Sequence, residues 1–106
     1  MAETDWDNIV VLYEALGRVT PSPIVELNRA VAVAMASGPQ RALEIVDEMV
    51  ATDRLPGSHL LPGVRGELLT RLGRTTEARA ELELAARLCR NARERAVLLR
   101  KAAALP

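Results

Sequence analysis

The stretch Gly66-Glu67-Leu68-Leu69-Thr70-Arg71-Leu72-Gly73-Arg74-Thr75-Thr76-Glu77-Ala78-Arg79-Ala80-Glu81-Leu82-Glu83-Leu84-Ala85 decides the fold. Within it, Gly66, Leu69, Gly73, Ala78, Leu82 and Ala85 follow one another at steps of 3, 4, 5, 4 and 3. Steps of three and four return to the same face of an α-helix. The stretch therefore reads as two helices broken at Gly73. Gly66, Ala78 and Ala85 fall where the two helices cross, and only small side chains let helices approach that closely. Leu69 and Leu82 fill the adjacent holes, and Gly73 permits the turn.

An earlier stretch repeats the pattern with Ala30, Val33, Gly38, Ala42, Val46 and Met49, its turn one residue shorter. Ala42 and Ala78 lie 36 positions apart, close to the 34-residue period of tetratricopeptide repeats. Both copies lack the aromatic residues usual at the large positions. The expected architecture is an all-α, tetratricopeptide-like right-handed α-solenoid of three antiparallel helix pairs. Its concave face would come from the first helix of each pair.

Outward from these stretches the helical period persists. Trp6, Ile9, Val10, Tyr13 and Leu16 form one stripe over residues 6–17, with Thr4 or Asp5 as cap and Gly17 as stop. Ser22-Pro23 signals the start of a helix over 23–37, a capping hydroxyl before a proline that needs no N–H partner. Its run Ala30–Ala36 is apolar on every side, which predicts a central helix covered by several neighbours. Further helices are expected over 39–52, 59–72 and 75–89, with Pro62 delaying the fourth and Thr75 capping the fifth. Asn91-Ala92-Arg93-Glu94 reads as a capping box opening a sixth helix to residue 103. No glycine- or serine-rich linker divides residues 1–106, so one domain is expected.

Composition narrows the possible functions. Apolar residues make up 49% of the 106, with Trp6 and Tyr13 as the only aromatics. The core must be aliphatic, and Trp6 and Tyr13 are expected to pack into it. Zero net charge argues against binding driven by phosphate neutralisation. Residues 1–54 carry nine acids and four bases, and residues 55–106 carry five acids and ten bases. That asymmetry suits a charged partner or head-to-tail pairing, but chance variation along a short surface is the favoured explanation. The single cysteine, Cys89, excludes an internal disulfide. No apolar run is long enough to span a bilayer. Glu3, Asp5 and Asp7 stand where a signal peptide needs basic and then apolar residues. A cytoplasmic location is expected.

The order of motifs is more specific than the repeat. It runs Asp5-Trp6-x-x-Ile9, Tyr13, Ser22-Pro23-x-x-x-Leu27-Asn28-Arg29-Ala30-Val31-Ala32, Gly38-Pro39, Arg65-x-x-Leu68-Leu69-x-Arg71-Leu72-Gly73-Arg74, Glu77-Ala78 and Asn91-x-x-Glu94-Arg95. This resembles the C-terminal tetratricopeptide-like extension of bacterial extracytoplasmic-function RNA polymerase sigma factors. The resemblance covers nearly all of residues 5–100. It implies a domain that regulates or enables sigma-factor activity by protein contact, with sigma-factor core regions or RNA polymerase as partner. Pro62 and Gly63 depart from it where the family continues a helix, as does Leu82 where the family favours an aromatic. Nothing here resembles the promoter-binding regions, so an excised C-terminal domain with an artificial Met1-Ala2 start, or a stand-alone relative, is expected. A free-standing adaptor or a homodimer is the alternative function.

Asn28 and Arg29 interrupt the most apolar helix. Either they line the concave face and grip a partner, or Asn28 bonds the proline-rich loop while Arg29 pairs with Asp5 or Asp7. Arg65 admits the same two readings. Tyr13, at a rim, would suit a partner through its hydroxyl. These four are the candidate partner-binding residues. No catalytic cluster, cofactor or metal is expected, because His59 stands beside no cysteine in the chain and a metal needs several convergent ligands. Cys89 reads as a small buried apolar residue. The basic run Arg87, Arg90, Arg93, Arg95, Arg100 and Lys101 reads as a solvated helix side, and direct DNA contact is not expected.

Overall fold

The computed structural model describes residues 4–106, so the readings placed on Met1, Ala2 and Glu3 lie outside the described residues. Six helices follow in order: α1 (Trp6–Val19), α2 (Pro23–Ser37), α3 (Pro39–Ala51), α4 (Leu60–Arg71), α5 (Thr75–Leu88) and α6 (Ala92–Ala104). No strand occurs among the described residues. Among the described residues no helix is long and apolar enough to cross a membrane. Each helix packs against its neighbours in sequence, and α2 also touches α4.

Helix starts follow local chemistry, with several departures from expectation. Asp5 caps α1 by accepting from the Asn8 N–H at 3.1 Å. Gly17 does not end α1, which continues to Val19 before Pro21 forbids further turns. Ser22 occupies the cap position of α2, yet its hydroxyl makes no capping bond, and Pro23 at the first turn sets the start instead. Thr75 lies inside α5, with Arg74 at the cap. Pro62 delays nothing: α4 begins at Leu60, and Pro62 sits within its first turn, where a missing N–H leaves no bond unmade. Gly38, at φ 97°, joins α2 directly to α3 in a conformation that side chains with a Cβ resist.

The core gathers Leu27, Ala30, Val33 and Ala34 of α2, Ala42, Leu43, Val46 and Met49 of α3, and Leu61, Leu68 and Leu69 of α4. Ala78, Leu82 and Ala85 of α5 are equally buried. α2 is covered by α1 and α3 and lightly by α4, but Val31 and Met35 remain exposed on its free side. Trp6 and Tyr13 are half-buried rather than core residues, and α1 has no fully buried residue at all. The reason is positional: among the described residues α1 leans chiefly on α2.

The tightest approach lies between α4 and α5. A Cβ built on Gly66 would stand 2.8 Å from both Cγ and Cδ2 of Leu82 and 3.4 Å from the Leu82 backbone nitrogen. Leu82 is 1% exposed, so it has no room to move away. Gly63, one turn earlier, faces only the Ala85 Cβ at 3.9 Å. Gly66→Ala should therefore destabilise the chain by about 1–2 kcal/mol, overpacking outweighing the gain in helix propensity. Gly63→Ala should stabilise it by about 0.5–1 kcal/mol. Urea unfolding of both variants checks the contrast.

Candidate interaction surface

Three of the four sequence-predicted residues line clefts. Tyr13, Glu14, Gly17 and Arg18 of α1 face Val25, Glu26 and Arg29 of α2 across a cleft of about 320 Å³. A second cleft of about 390 Å³ is bounded by Asp47 and Val50 of α3, Arg65 of α4, and Glu81 and Leu88 of α5. Arg54, in the loop after α3, lines both. Asn28 is exposed on α2, outside either cleft. It makes no side-chain hydrogen bond among the described residues, so the expected bond to the proline-rich loop is not formed.

The arginines play different parts. Arg29 is half-buried beside Tyr13 and has no carboxylate within ion-pairing distance among the described residues; neither Asp5 nor Asp7 reaches it. The guanidinium is left available to a carboxylate or a backbone carbonyl brought by a partner. Arg65, by contrast, is spent internally. Its Nε donates to Asp47 Oδ1 at 2.8 Å, Nη1 lies 3.4 Å from Glu81 Oε1, and Nη2 lies 4.0 Å from Glu77 Oε2. It braces α3, α4 and α5 together, which is the structural alternative raised for it. Arg54 pairs with Glu26 at 2.9 Å and so ties the loop after α3 to α2.

Burial and charge split the carboxylates around Arg65. Burial pushes Glu81 above the ordinary glutamate range, against the pull of Arg65. Exposed Glu77 is held below that range by the Arg74 guanidinium, which grips it through two bonds of 2.8 and 2.9 Å. The two groups therefore act with opposite signs on stability as pH changes.

Val11, Leu12, Leu16 and Val19 add an exposed apolar stripe along α1, with Leu12 67% and Val19 81% accessible. The basic run of α5 and α6 is partly structural. Arg95 donates to the Cys89 carbonyl at 2.6 Å and to the Ala86 carbonyl at 3.3 Å, closing the end of α5. Lys101 pairs with Glu67 at 2.6 Å.

Sequence reading missed Arg54, which stands between the helices expected over 39–52 and 59–72. It also missed a convergence of His59, Cys89 and Glu94, whose ligand atoms all lie within 4.8 Å of one another. His59 stands beside no cysteine in the chain, but it does in space. The only hint was a cysteine at the end of one helix and a glutamate in the first turn of the next.

No protein-family model matches the chain. It is 47% identical over 96 residues to an uncharacterized protein of Rhizobium meliloti (strain 1021). The matched part is 91% of this chain and 22% of that relative, so the chain spans about a fifth of the relative's length.

Arg65→Ala should cost about 2 kcal/mol in denaturant unfolding, because it removes a charged hydrogen bond and leaves Glu81 half-buried without a cation. Glu81→Gln should gain stability relative to the parent as pH rises from about 4 to about 7, because the parent then ionises a carboxyl whose burial opposes charge. Glu77→Gln should lose stability relative to the parent over the same interval, since the parent's Arg74 contact strengthens as Glu77 ionises. Unfolding curves at the two pH values separate these signs.

Proposed function

We propose that this chain is a tetratricopeptide-like protein-interaction domain that regulates or enables the activity of an extracytoplasmic-function sigma factor. In this reading the six helices form three antiparallel pairs stacked in a right-handed curved array. The partner is the sigma factor's own core regions or RNA polymerase.

One observation carries the reading. Every member of both repeat copies is either buried or a turn glycine at positive φ. Ala30, Val33, Ala42, Val46 and Met49 are buried in the first, and Gly66, Leu69, Ala78, Leu82 and Ala85 in the second. Gly38 and Gly73 make the turns at φ 97° and 75°. The motif order that resembles the sigma-factor extension supports the more specific half of the proposal. The Rhizobium relative is compatible with it, since most of that protein lies outside the matched part.

The binding surface follows from what is left unsatisfied. Arg29 and Tyr13 supply polar groups at the α1–α2 cleft, and Leu12 and Val19 supply apolar area beside it. A partner helix with an acidic residue near an apolar face fits such a surface. Asn28 stands one residue from Arg29 and contributes at the edge.

The test is capture of purified sigma-factor core regions and of core polymerase by this chain. Binding to one of them is expected, with Arg29→Ala or Leu12→Asp weakening it about tenfold or more, equivalent to about 1.4 kcal/mol. Absence of binding to both would overturn the reading. Self-association measured by light scattering, lost in Leu12→Asp, would instead favour the homodimer.

A further inference from the structure

We propose that His59, Cys89 and Glu94 form a binding site for a single divalent cation of the zinc class. The site lies where three helix ends meet. His59 is the cap residue of α4, Cys89 follows the last turn of α5, and Glu94 lies in the first turn of α6.

The spacing of the donor atoms matches a coordination polyhedron. His59 Nε2 and Glu94 Oε2 are 3.2 Å apart, and Cys89 Sγ and Glu94 Oε2 are 3.6 Å apart. Tetrahedral zinc, with nitrogen and oxygen at about 2.0–2.1 Å and sulfur at about 2.3 Å, sets those edges at about 3.3 and about 3.6 Å. The thiol and imidazole, no more than 4.8 Å apart, complete the triangle with a small adjustment of the half-buried His59 ring. A mixed sulfur, nitrogen and oxygen donor set favours zinc over magnesium or calcium, which take oxygen alone.

Glu94 is the informative residue. In a full capping box its carboxylate would reach back to the Asn91 N–H. Here Asn91 caps α6 from its own side chain, accepting from Arg93 and Glu94 N–H at 2.9 and 3.1 Å. The Glu94 carboxylate turns instead to His59 and Cys89. The remaining supports hold the ligands in place: Arg95 fixes the Cys89 carbonyl, and the His59 carbonyl accepts from Gly63 N–H at 3.0 Å.

The ion would enter from the solvent side, where the His59 and Glu94 side chains are 31% and 58% accessible while Cys89 is buried beneath them. Binding replaces the thiol proton, which leaves to solvent, and the sulfur–metal bond takes its place. Three protein ligands leave a fourth position for water. His59 and Glu94 also line a largely apolar groove of about 370 Å³ between α4 and α6. The ion would pin the start of α4 to the α5–α6 junction.

Cobalt(II) titration of the whole chain, kept reduced with a phosphine, tests the site. A thiolate-to-cobalt charge-transfer band saturating at one equivalent and bleached by zinc is expected. Cys89→Ala should abolish the band. His59→Gln and Glu94→Gln should each weaken cobalt binding at least about tenfold. Zinc should raise the melting temperature of the parent and leave that of Cys89→Ala unchanged. The parent's lack of a charge-transfer band would overturn the proposal whatever the variants do, and so would undiminished binding in a folded Cys89→Ala chain.

Discussion

The contact between Gly66 and Leu82 governs how α4 and α5 meet. A hydrogen atom in place of a methyl group lets the leucine side chain lie directly on the α4 backbone. Ala78 and Ala85 keep the rest of that seam shallow, and the α2–α3 seam uses Ala30 and Ala42 in the same way. With no phenylalanine and only two aromatic residues, the chain has few bulky side chains to fill wide gaps between helices. Its stability must come from short interhelical distances, where many weak dispersion contacts accumulate.

Charged side chains then link elements that the apolar seams leave loosely joined. Arg65 reaches carboxylates on both α3 and α5 from α4, while Arg54 connects the loop after α3 back to α2. Such pairs contribute little when fully exposed. Arg65 is the exception because its side chain is only 20% accessible and one of its partners, Glu81, is equally covered. Arg29 lacks any comparable partner among the described residues, and that contrast within one small protein separates a scaffold arginine from one available for recognition.

Much of the architecture was legible because it depends on local rules. Helix number, the breaks at Gly38 and Gly73, and the burial of both small-residue sets follow from periodicity and glycine chemistry. Boundaries failed where two local signals competed. Gly17 suggested a stop, but Pro21 imposed the later one; Pro62 suggested a delay, but a first-turn position tolerates it. Trp6 and Tyr13 looked like core residues because aromatics usually find cover, and no sequence rule says that α1 has a neighbour on one side only. The roles of Arg65, Arg54 and Glu94 depend on partners up to 18, 28 and 35 positions away, beyond the reach of any local pattern.

The one-sided packing of α1 has a dynamic consequence. A helix with no fully buried residue, leaning chiefly on α2, separates from the body at lower cost than any internal helix, whose removal would open two seams. Its amides should exchange with solvent deuterium well ahead of those in α4 and α5. A protein that covers Leu12 and Val19 would slow that exchange most in α1 itself, so the protection pattern would record occupancy without a label on either molecule.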